Sequence, residues 1–174
     1  MNYPKNNKKI IFSILLLLVI VIFVFYYFFL NKQNDELINN SLGQNIIKLT
    51  NKEDYSRVNI KVKDQVIDTE IVFSQEAKSL GLSGREDLVN NQGMLFIFSS
   101  DSYPSFHMKN MNFPLDLLFI KDGVIKKIFA NVMPEGENPV NYYNYGPVDM
   151  VLELPANYAE RHGIKEGFSL ELNR

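Results

Sequence analysis

Residues 10–30, IIFSILLLLVIVIFVFYYFFL, carry no charged side chain. As a helix rising about 1.5 Å per residue, a run of this length matches the roughly 30 Å hydrocarbon core of a bilayer. It therefore predicts a transmembrane signal-anchor helix over residues 10–30. A cleaved signal peptide would have a shorter apolar core, about 7–15 residues, and a small-residue cleavage site. Here Tyr26 to Leu30 stays bulky to the end, and the absence of cysteine removes a lipid-attachment site. Lys5, Lys8 and Lys9 precede the run, whereas Lys32, Asp35 and Glu36 follow it. Positive flanks stay in the cytoplasm, so residues 1–9 are expected inside and the remainder outside the cytoplasmic membrane.

That remainder is acidic. With Lys5, Lys8 and Lys9 set aside, 15 of the 18 basic residues face all 20 acidic ones, a formal charge of −5. Nucleic acid is an unsuitable partner for such a surface, because binding it requires clustered Lys and Arg. Without cysteine there is no disulfide framework, no thiolate nucleophile and no zinc-thiolate site.

Residues 31–56 are polar and without a sustained apolar period, which reads as a linker, with a short helix continuing from the span to about Ile38 and a first strand at Ile46–Leu49 as options within it. From residue 57 to 174 the pattern is that of short strands broken by turns. Val58, Ile60 and Val62 alternate with polar residues, a turn follows at Lys63-Asp64-Gln65, and a second extended run reaches Phe73. Ser74 is a suitable N-cap for a short helix to Leu80 that Gly81 would stop. Apolar strands are expected at Met94–Phe98, Phe106–Lys109, Leu117–Ile120, Val124–Val132, Met150–Leu154 and Phe168–Leu172. Asp122-Gly123 supplies the strongest hairpin signal, and Asn157 with Glu160 has the spacing of a capping box for a helix closing at Gly163. Residues 133–147 read as a long surface loop rich in Pro and Tyr. The expected fold is mainly β: a small single-domain β-sandwich or jelly-roll-like barrel with two short helices, behind one transmembrane helix.

No complete catalytic constellation emerges. His107 and His162 are the only histidines and lack metal-ligand spacing, so no metal or other cofactor is expected. Gly81-Leu82-Ser83-Gly84 lacks the glycine spacing of a nucleophile elbow. The polar residues that stand out are Arg85, His107, Lys109, Asn110, Asp116, Asp149 and Glu153. If Phe106 to Lys109 is extended, Phe106 and Met108 point one way and His107 and Lys109 the other. Asp116 would share a face with Leu118 and Ile120, where a buried carboxylate needs partners. Arg85 and Lys109 are the expected partners, forming a structural polar cluster with Asp116.

The strings QEAKSLGLSGRE, QGMLFIF, SFHMKNMNFPLDLLFI, VMPE and YGPVDMVLELPANYAERHGIKEG, in this order over residues 58–172, resemble the family called domain of unknown function 192. The resemblance implies a small mainly-β domain, often carried behind a signal peptide or membrane anchor in prokaryotes, and brings no established activity, cofactor or catalytic set. Where that family typically has Trp after Phe, this chain has His107, which exchanges a stacking platform for a titratable ring.

The expected function is that of a non-enzymatic ligand-binding or interaction module at the cell envelope, with an envelope glycan, peptide or protein as partner. Its ligand-binding residues would be His107, Lys109, Asn110, Tyr143 and Tyr145. The alternatives are an envelope hydrolase or lyase using His107 with Asp116, and a purely structural envelope component.

Overall fold

The computed structural model describes residues 7–39, 42–135, 140–143 and 146–173. By contacts the chain divides into two units, Met1–Asn40 and Ser41–Arg174. The first holds one helix, α1 (Asn7–Asn39), whose stretch Ile11–Phe28 has a mean hydropathy of 3.0 and exposes its side chains. It is long and apolar enough to cross a membrane.

The second unit opens with α2 (Leu42–Leu49), within the stretch that the sequence suggested was a polar linker. The strand option at Ile46–Leu49 is corrected: Leu42, Ile46 and Ile47 lie on one side of a helix and pack on the core, with Ile46 fully buried. Gly43 permits the close approach, since a Cβ there would stand 2.8 Å from Cγ2 of Ile97. The remaining helices are α3 (Gln75–Leu80), capped by the Ser74 hydroxyl accepting from the Ala77 N–H, and α4 (Tyr158–His162). Among the described residues this makes three short helices where two were expected.

Among the described residues the strands, in chain order, are nine: β1 (Arg57–Val62), β2 (Gln65–Val72), β3 (Gln92–Ser102), β4 (Ser105–Phe106), β5 (Leu115–Lys121), β6 (Val124–Val132), β7 (Tyr142–Tyr143), β8 (Val148–Pro155) and β9 (Leu170–Leu172). Seven form one sheet in the order β6-β5-β8-β3-β2-β1-β9, antiparallel except for β2 with β3. α3 lies in the β2–β3 connection, as a parallel pair requires a long crossover. The sheet curls until its outer strands meet, through a bridge between Val124 and Ser169 and a bond from the Leu170 N–H to the Gly123 carbonyl. The mainly-β, barrel-like class read from the sequence is thereby borne out.

The register sorts the core onto two faces. Leu95, Leu152 and Leu118 are directly aligned on the first, with Ile60, Ile67 and Tyr158 in the same cluster. Phe96, Val151 and Phe119 are aligned on the second, which is covered by Ala77 of α3, Leu82 and Met108. Five rings run across this second face edge-to-face: Phe96, Phe106, Phe119, Phe129 and Tyr142, with successive centroids 4.9, 5.7, 5.8 and 5.3 Å apart. β4 pairs with β7 as a separate two-stranded flap, so the expected long loop carries a strand of its own.

The extended run expected over Phe106–Lys109 is shorter in the fold, because β4 ends at Phe106. Beyond it the chain turns. Asn110 is left-handed at φ 59°, a conformation Asn tolerates, and its carbonyl accepts from the Gly84 N–H. The Met108 N–H donates to the Glu135 carboxylate at 3.0 Å, while the Glu135 N–H returns to the Met108 carbonyl. The expected alternation survives in burial: Met108 is buried, and His107 and Lys109 are exposed.

Candidate functional site

Asp116 and Glu153 are the two fully shut-in carboxyl groups of the sheet, at 0 % and 6 % exposure. Asp116 lies on β5 opposite Leu154, on the first face. Its Oδ1 accepts from the N–H groups of Asn131 (2.8 Å) and Asn157 (2.9 Å), and its Oδ2 from the N–H of Ala159 (2.8 Å). Asn131 and Asn157 both take the left-handed conformation, at φ 51° and 60°. Asp116 thus caps α4 from another strand. The capping box expected from Asn157 and Glu160 is not made, since the Asn157 side chain forms no cap bond.

These bonds also correct the expected polar cluster. The Arg85 guanidinium pairs with Glu70 at 2.7 Å, on the second face, and Arg57 shares the same carboxylate at 2.6 Å. Lys109 is exposed. Neither reaches Asp116, whose charge is met by three backbone amides, as a carboxylate in a tight loop junction can be. His107 and Asp116 are likewise not brought together: His107 follows the flap over the second face, whereas Asp116 faces the first.

Glu153 lies on β8, aligned with Met94 of β3 and Leu117 of β5, in a row that continues to Glu70 of β2. Its Oε2 is buried without a hydrogen-bond partner. Burial pushes the carboxyl up to about 8, against a smaller downward pull from the Arg85 guanidinium. The side chain lines a cavity of about 340 Å³. Leu82, Phe96, Phe98 and Phe106 supply apolar wall, and Lys78 and His107 are the other ionisable side chains on it. The Lys78 ammonium stands over the Phe98 ring, 4.9 Å from its centroid, and burial lowers its pKa while Asp54 raises it.

Of the expected ligand-binding residues that are described, only His107 lines this cavity. Its Nδ1 accepts from the Lys109 N–H at 3.4 Å. Lys109 and Asn110 continue the exposed turn beyond it, and Tyr143 lies on the flap opposite Ser105, itself a cavity residue. Tyr145 lies outside the described residues. Asp149 accepts from the Asp122 N–H at 3.0 Å beside Lys121, holding the β5–β6 turn. His162 ends α4 with its ring 4.3 Å from that of Tyr158. Glu153 is the residue whose weight the sequence understated. The signal was present in Val151-Leu152-Glu153-Leu154, where a strand period puts a carboxylate on an apolar face.

Residues 58–172 match the family model of domain of unknown function 192, DUF192, described as an uncharacterized ACR. The chain belongs to this family. Two crystal structures of similar fold accompany it. One, from Sinorhizobium meliloti 1021, is described as a candidate transcription regulator; it is 30% identical with a TM-score of 0.63, over 69% of this chain and 96% of that one. The other, a protein of unknown function from Novosphingobium aromaticivorans DSM 12444, is 31% identical with a TM-score of 0.61, over 66% of this chain and 84% of that one. No curated protein matches the chain. Among the described residues, no group of three or more His, Asp or Glu side chains could hold a metal ion. Among the described residues, the DUF192 core of this chain thus presents a cavity with a buried carboxyl on its wall.

Proposed function

We propose that this DUF192 protein is a membrane-tethered binding module that works on the outer side of the cytoplasmic membrane and takes a small ligand in the Glu153 cavity. The observation that carries the binding reading is Glu153 itself. A buried carboxyl oxygen without a partner costs stability that the fold could have avoided with an apolar residue, whereas a ligand donating a hydrogen bond would satisfy it. The apolar wall adds area for a ligand's non-polar part. The apolar helix and the lysines before it support the tether and the orientation.

Two measurements test this reading. A reporter fused after Arg174 should be active when its activity requires the extracytoplasmic side; activity confined to the cytoplasm overturns the orientation. For the cavity, the full chain in nanodiscs is screened by thermal shift against envelope oligosaccharides, short peptides and small amines, alongside Ser105→Trp, which places an indole on the cavity wall. A ligand that raises Tm for the parent and not for Ser105→Trp is the expected result. If no compound shifts Tm, or every shift persists in Ser105→Trp, the cavity is not the site.

A further inference from the structure

The chemistry of the cavity narrows the ligand. Its wall combines an unpartnered, nine-tenths buried carboxyl with three phenylalanine rings, and one of those rings already holds an ammonium group, that of Lys78. Aromatic faces carry negative potential and attract cations, and a desolvated site strengthens that attraction. An anion would meet the same faces with the wrong sign and would oppose ionisation of Glu153. A neutral hydroxyl could bond to Glu153 but would leave the aromatic potential unused. The nearest strong cation, Arg85, is not available to Glu153, because its guanidinium makes two bonds to Glu70, at 3.2 and 2.7 Å.

We propose that the cavity takes a small organic ammonium ion: the Glu153 carboxyl releases its proton to solvent as the cation enters, the carboxylate left behind is the counter-charge, and the rings of Phe96, Phe98 and Phe106 are the walls. The proposal rests on the cavity being a binding site, as argued above. Lys78 is then a resident competitor: it holds the Phe98 face and repels a second cation. Its removal should help the ligand, which is the opposite of what a surface lysine that recruits an anion would do.

The test uses three probes on one skeleton: phenethylammonium, phenethyl alcohol and 3-phenylpropionate. Each is titrated calorimetrically into the full chain in nanodiscs, with blank nanodiscs subtracted. Phenethylammonium should bind most tightly. Glu153→Gln should weaken it about tenfold or more, the loss of a charge-assisted contact, while leaving the alcohol nearly unchanged. Lys78→Met should tighten the ammonium by about two- to fivefold, through removal of a like charge. If the alcohol or the carboxylate binds as well as the ammonium, or if the ammonium binds Glu153→Gln as well as the parent, the ammonium class is overturned while the cavity remains a binding site. If none of the three binds and Lys78→Met brings no gain, the proposal falls. The broader binding reading then stands or falls on the thermal-shift screen.

Discussion

Asp116 and Glu153 are carried by paired strands of one sheet, both closed off from solvent, on opposite faces and in opposite circumstances. Asp116 has three amide donors and ties β5, β6 and α4 together. Glu153 has an oxygen with no donor and a cavity beside it. Burial of a carboxylate therefore does not by itself mark a site. What separates a structural group from one awaiting a partner is whether the fold has already supplied the hydrogen bonds.

Removing Asp116 is the severest way to break this comparison. Asp116→Ala leaves three amide donors facing an apolar void and should cost on the order of 4 kcal/mol or more, measured by chemical denaturation. Asp116→Asn retains one acceptor oxygen and should cost less; a cost near zero for Asp116→Ala would mean that the three bonds are not what holds α4.

Glu153 should respond to pH in a way that Gln cannot. Its carboxyl is raised from 4.5 to about 8, so between these values the folded chain keeps a proton that the unfolded chain gives up. Stability then falls as pH rises through this window, by a few kcal/mol in all at about 1.4 kcal/mol per pH unit for one retained proton. Glu153→Gln should flatten the contribution and gain most on the parent near pH 8. Parallel stability curves for the two proteins from pH 4.5 to 8 would show that Glu153 is not buried as described.

Arg85 sharpens the contrast at a smaller scale. Arg85→Met breaks a partly exposed pair with Glu70 and should cost only about 0–1 kcal/mol. It also removes the charge that holds the Glu153 carboxyl down, so the steep part of the pH curve should move upward; an unmoved curve would separate the two groups. Lys109→Ala is the mildest change. An exposed lysine that does not reach Asp116 should leave the unfolding free energy within about 0.5 kcal/mol of the parent, and a larger loss would revive the basic partner that the sequence suggested.

The features legible in the sequence are those encoded locally. The β1–β2 hairpin, the Asp122-Gly123 turn and the Ser74 cap each depend on residues within a few positions, and each is found where the pattern puts it. Asp116 shows the limit. Its apolar face declared that it needed partners, but backbone amides leave no mark in a sequence. Two of them come from Asn157 and Ala159, some 40 residues further along. α2 was hidden for another reason: its few apolar residues look like a polar tether until Ile46 has a sheet to pack on. At the candidate site His107 was visible as an odd residue in a strand-like run, but the cavity is assembled from α3, β3, the flap and β8, so no contiguous stretch could announce it.

One pairing has a kinetic consequence. β1 is bonded to β2 on one side and to β9 on the other, so Ile60 aligns with Leu172. The strand made first must wait for the strand made last before its second edge is covered. Contacts this distant in sequence are slow to form, with folding times on the order of milliseconds to seconds for such topologies. During synthesis the Arg57–Val62 edge stays open longer than the other local pairings, and an open edge can template a neighbouring chain. Lys61 and Lys63, alternating with Ile60 and Val62 along it, place charge where such a misplaced strand would have to lie.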